Sequence, residues 1–66
     1  MDYFTFYLKH GGERVLVVTN DGERFKGILE DYTSDLDNDP EPESITIGDV
    51  ELYTSDVSKI ELLGKK

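Results

Sequence analysis

The chain has no cysteine, one histidine and two prolines among its 66 residues. Without cysteine, neither a disulfide nor a thiolate metal site is available. A domain of this length buries only about 60% of the surface that its unfolded chain exposes. With the usual staples missing, self-association becomes the expected stabiliser. No apolar run approaches the roughly 20 residues that span a bilayer, and the start Met1-Asp2 lacks the basic flank of a signal peptide. The expectation is one soluble, cytoplasmic domain over residues 1–66, with no membrane contact. Catalysis finds little to work with, because a nucleophilic or acid–base site needs convergent groups. The lone histidine, His10, stands beside two glycines, and the acids lie mostly on one loop. No enzymatic activity and no cofactor are expected.

Positive charge is absent from one long stretch. Glu30 to Glu43 holds seven acids and no lysine or arginine, while the rest of the chain holds eight acids against seven bases. The net charge of −8 therefore divides into −7 on this stretch and −1 on everything else. A uniformly acidic surface repels phosphate backbones. A near-neutral body with one acidic loop opposes them only moderately.

What is present points to short strands. Arg14 to Leu29, RVLVVTNDGERFKGIL, reads as a hairpin turning at Asp21-Gly22, for which a two-residue type I′ turn is expected. Val15 and Val17 face one side and Leu16 and Val18 the other, so the first strand is expected to be central. Gly27 lies inside the return strand, where glycine suits a sharp bend or bulge in a small, strongly curved barrel. Ser44–Ile47 and Val50–Tyr53 alternate at period two around a Gly48-Asp49 turn and predict a second hairpin. Thr54-Ser55-Asp56 suits a single capped turn, and Val57 to Leu63 a last strand. Asp31 to Glu43, with both prolines and a dense run of acids, reads mostly as loop, most acidic at about 34–43. Residues 2–9 are ambiguous: Tyr3, Phe4, Phe6 and Tyr7 favour a strand, yet Phe4, Tyr7 and Leu8 share one helical face, and the glycines after His10 suit a helix C-terminus or a loop. The fold class is thus all-β with five short strands, open to one short N-terminal helix, and no internal repeat is seen.

In this order of strands, turn and bend, the chain resembles the Sm-like family of small five-stranded SH3-type barrels. The family's first motif falls on Gly12, Val15, Val17, Asp21, Gly22, Gly27 and Leu29. The resemblance implies RNA binding, but the family's pocket residues do not stand here. Its Asp-x-x-Met-Asn stretch would fall on Thr33, Leu36 and Asp37, with Asn38 one residue off, and its Arg-Gly pair on Tyr53 and Thr54. A degenerate RNA site would use Asn38, a stacking Tyr53, and a basic group of Arg14, Arg24 and Lys26, if the hairpin brings those three onto one face. The family's fourth strand pairs with the fifth of a neighbour to close a ring. The resemblance places those edges on Ile45, Thr46 and Ile47 and on Val57, Ile60 and Leu62, where no proline or run of charge defends the first of them.

Asp35, Asp37 and Asp39 alternate like the ligands of an oxygen-rich calcium loop. An EF-hand needs glycine and glutamate where this chain has Pro40 and Thr46, so weak divalent binding is the most that this spacing suggests, and a solvated acidic loop is the favoured reading. The expected function is a non-enzymatic binding or assembly module. Its partners are copies of itself and an unidentified protein, with RNA as the alternative.

Overall fold

The computed structural model describes residues 2–64. Helix α1 (Tyr3–His10) precedes strands β1 (Arg14–Thr19), β2 (Arg24–Thr33), β3 (Ser44–Ile47) and β4 (Val50–Tyr53). A 3-10 turn at Thr54–Asp56 leads into β5 (Val57–Gly64). The strands form one antiparallel sheet in the order β4-β3-β2-β1-β5, whose edges are β4 and β5. The ladder is open: among the described residues the two edge strands do not pair with each other. No helix among these residues is long and apolar enough to cross a membrane.

The ambiguous stretch 2–9 resolves as helix, Tyr3–His10 behind the cap Asp2. Asp2 caps it, its carboxylate accepting from the Thr5 N–H at 3.2 Å and the Thr5 hydroxyl at 2.8 Å. These bonds hold the Asp2 carboxyl below the usual carboxylate range. At the other end Gly11 N–H donates to the Tyr7 carbonyl at 2.8 Å. Gly12, at φ 89°, then turns the chain so that its own N–H reaches Leu29 O at 2.8 Å. Tyr3, Phe6 and Tyr7 pack against the core, so aromatics that favour a strand locally serve as an i, i+3, i+4 stripe.

The first hairpin forms where expected, but its turn differs. Gly22 N–H donates to Thr19 O and Thr19 N–H to Glu23 O, both at 2.9 Å, enclosing a three-residue loop. Gly22 has φ 90°, and no non-glycine among the described residues has positive φ. Asp21 therefore avoids the left-handed conformation that a type I′ turn would impose, and a longer turn ending in glycine takes its place. The Gly48-Asp49 turn is as expected, with Gly48 at φ 61° between the paired Ile47 and Val50.

β2 is longer than the sequence suggested. It pairs with β1 from Arg24 to Ile28, then with β3 from Leu29 to Thr33, with a register shift between Leu29 and Asp31. One strand thus serves both halves of the sheet, and its irregularity lies between Leu29 and Asp31, just after Gly27. A Cβ on Gly27 would stand 3.2 Å from Ile47 Cγ2. Val15, Val17, Leu29, Ile45, Ile47 and Ile60 form the core, so both halves face one interior.

Candidate interaction surfaces

The three basic residues of the hairpin do share one face. Cross-strand partners lie on the same side of a sheet, and the register sets Arg14 against Ile28, Leu16 against Lys26 and Val18 against Arg24. Arg14, Lys26 and Arg24 therefore run as a stripe down the face opposite the core, all exposed. Beside them on β5, Lys59 is paired with Glu61 at 2.9 Å.

Asn38 and Tyr53 meet carboxylates rather than this stripe. The Asn38 amide donates to Pro42 O at 2.8 Å and reaches Glu51 at 3.5 Å. The Tyr53 hydroxyl donates to Glu41, and this bond raises its pKa. Buried Ser44, opposite Tyr53, donates to Glu51 at 2.7 Å. The amide and the aromatic proposed for reading a base are occupied in closing the acidic loop onto β4, in an acidic setting.

The edge expected at Ile45, Thr46 and Ile47 is corrected. β3 pairs with β2 on one side and β4 on the other, and Ile45 and Ile47 are only 1% and 3% exposed. The physical reason is the extension of β2: ended at Leu29 it would leave one side of β3 open, but Asp31, Tyr32 and Thr33 cover that side. The free edges are β4 and β5. Val57, Ile60 and Leu62 do lie on such an edge, with Ile60 turned into the core and Leu62 exposed.

The structure does not gather the acids of the proposed divalent loop into a ligand set. Among the described residues no three acids or histidines converge as metal ligands. The loop coils, with Asn38 N–H donating to Ser34 O at 2.9 Å and Glu41 N–H to Asn38 O at 2.7 Å.

Depressions on the surface of the described residues include two of note. One, of about 370 Å³, lies between the β1–β2 turn and the end of β4, with Phe25 and Leu52 among its walls and Asp21, Glu23 and Asp56 at hand. Asp21 accepts from the Thr19 hydroxyl, which lowers its pKa. The other, of about 430 Å³, opens between α1 and the acidic loop and is lined by Phe4, Tyr32, Ser34 and Asp37. Tyr32 donates its hydroxyl to Glu43. That bond first, then desolvation and the charges of Glu43, Asp35 and Asp2, push the phenol up to about 12. This second groove is missing from the sequence reading because Tyr32 falls in a stretch taken for loop. The shared helical face of Phe4, Tyr7 and Leu8 is the one sequence signal that bears on it, through Phe4. No protein-family model, no curated protein and no solved structure matches the chain.

Proposed function

We propose that the chain is an Sm-like, SH3-type small-barrel module that acts without catalysis, by pairing its free strand edges with those of other chains, copies of itself first. The observation that carries this reading is the pair of uncovered edges, β4 and β5, at the two ends of one short sheet. An open edge offers unpaired N–H and C=O groups to any passing strand. Val50 on β4 and Leu62 and Leu63 on β5 are exposed, and the one lysine on β5 within the described residues, Lys59, is tied to Glu61. In the family that the chain resembles, the fourth strand of one subunit pairs with the fifth of the next. Here those strands are Val50–Tyr53 and Val57–Gly64. Covering them also supplies the apolar burial that so small a domain lacks on its own.

The test is the native mass by light scattering on a sizing column, for the natural chain and for Val50→Lys with Leu63→Lys. One closed oligomer that the lysines dissolve supports edge assembly. A monomer at every concentration overturns it.

A second reading, RNA binding, is favoured by one observation, the stripe of Arg14, Lys26 and Arg24 on a single face. It uses phosphate contacts rather than base recognition, since Asn38 and Tyr53 are bonded to the acidic loop and β4.

A further inference from the structure

We propose that the groove between α1 and the acidic loop docks a cationic segment of a partner protein, one that presents an arginine or lysine beside an apolar side chain. The groove is lined by α1, the end of β2 and the loop, not by the edge strands, so the proposal stands or falls independently of edge assembly.

The walls of the groove are more than leftover core. α1 carries five aromatic or aliphatic side chains in eight residues. Tyr3, Phe6 and Tyr7 are used against the core, whereas Phe4 and Leu8 are left 49% and 65% exposed. Single exposed apolar residues are ordinary, but Phe4 is not single. Its ring lies 5.5 Å from that of Tyr32, and Tyr7 places a third ring 6.4 Å from Tyr32. On the loop that carries Asp37, Leu36 is 86% exposed. Phe4 and Tyr32 together make an aromatic wall beside the Asp37 carboxylate, and exposed apolar surface rimmed by charge marks an interaction site.

Charge selects the occupant. The segments that build the groove, α1 with its cap and residues 30–43, contain eight acids against one lysine, Lys9 in the last turn of the helix. Asp37 is itself a wall, and the charges of Asp2, Asp35 and Glu43 all reach the Tyr32 hydroxyl. A phosphate backbone is repelled here. A purely apolar partner would desolvate carboxylates without compensation. Two copies joined groove to groove would bring like charges together. A cation over the ring faces is attracted by their quadrupole and meets Asp37 at the same time. Arginine suits best, because its planar guanidinium stacks on a ring while forking to a carboxylate. An apolar neighbour on the same segment covers Phe4.

The test is a titration of the isotope-labelled chain with a short synthetic peptide alternating arginine and leucine, followed by amide NMR shifts. A peptide with glutamate in place of arginine serves as control. Saturable shifts at Phe4, Tyr32, Ser34 and Asp37 with the arginine peptide alone support the proposal. So does weakening by about ten-fold in Phe4→Ala and in Asp37→Asn, the size expected for losing a ring or a carboxylate from a cation site. Asp37 is exposed, so its substitution reads out binding even if Phe4→Ala perturbs the helix. Shifts spread evenly over 35–43 and indifferent to Phe4→Ala reduce the effect to loop charge and overturn it. Equal binding of the glutamate peptide, or shifts confined to β4 and β5, do the same. Groove shifts that grow with chain concentration in the absence of peptide assign the site to a second copy and also overturn it.

Discussion

The Tyr32 hydroxyl donates to the Glu43 carboxylate, tying the end of β2 to the residue just before β3 across the whole acidic loop. Glu43 also accepts from the Thr54 hydroxyl at 2.7 Å, and its carbonyl accepts from Thr54 N–H at 3.0 Å. One carboxylate thus gathers the end of β2, the start of β3 and the end of β4. The loop between is held at its base, whatever its own charges do.

The first prediction is an alkaline transition. With its pKa raised to about 12 in the fold against roughly 10 in an unfolded chain, Tyr32 holds its proton more tightly when folded. Its contribution is fully present below about pH 10 and is lost as pH rises towards 12. Tyr32→Phe is expected to lower stability by about 0.5–1 kcal/mol at neutral pH, a modest amount for a hydrogen bond to a charged group because the site is partly solvated. The gap from the natural chain should close between pH 10 and 12. Denaturant melts across that range, with the Tyr32 ring followed by NMR, check both statements. A constant gap would contradict the linkage.

Gly27 gives the second. Ile47, whose methyl would meet a new Cβ at 3.2 Å, is itself almost wholly buried, so the neighbour has little room to give. Gly27→Val is expected to lose about 1–3 kcal/mol by overpacking. Gly27→Ala is expected to lose less, because the smaller clash is offset by the unfolded-state entropy that alanine removes. Urea midpoints for the pair, with unchanged slopes, read the order directly.

Much of the sheet was legible because its punctuation is local. Gly22 and Gly48 mark turns whose backbone needs them, and Thr54–Asp56 forms a short 3-10 turn, though no side chain caps it. What was not legible has a different cause. Whether residues 2–9 coil or extend depends on Asp2 capping Thr5 and on a core that accepts Tyr3, Phe6 and Tyr7, a tertiary fact that propensity does not contain. Asp31 to Thr33 looked like loop because the acids around them obscure the pairing of Tyr32 with Ile45. That pairing covers the side of β3 where the resemblance placed a free edge, and Tyr32 on it walls the groove beside Phe4. The basic stripe was legible from strand alternation alone, whereas the bonding of Asn38 and Tyr53 to the loop and β4 was not, since it depends on how the loop folds.

The cap at Asp2 yields the third prediction. Its carboxyl is depressed chiefly by the Thr5 hydroxyl and then by the Thr5 N–H. The support it gives is therefore present above the ordinary carboxylate range and disappears as pH falls through the lowered value. Asp2→Ala should reduce helical circular dichroism and the melting temperature at neutral pH. Asp2→Asn, which still caps, should retain most of both and lose the acid dependence at this site. Equal effects of alanine and asparagine would show that the charge, not the cap, holds α1.

The fourth prediction separates the two charged surfaces. If RNA is held by phosphate contacts on the stripe, affinity for a single-stranded oligonucleotide falls steeply with salt, and each lost contact removes about 0.7 from the slope of log affinity against log salt. Arg24→Glu and Lys26→Glu should each weaken binding and flatten that slope, and neither should harm folding, since both side chains are exposed on the face away from the core. Replacing Asp35, Asp37 and Asp39 with asparagine should strengthen RNA binding by removing repulsion, yet weaken the arginine peptide by removing its counter-charge. Opposite responses of the two ligands to one set of substitutions cannot arise from a general loss of structure. Parallel responses would mean that a single surface serves both ligands, and would remove the division between a basic stripe on the hairpin and an acidic groove beside α1.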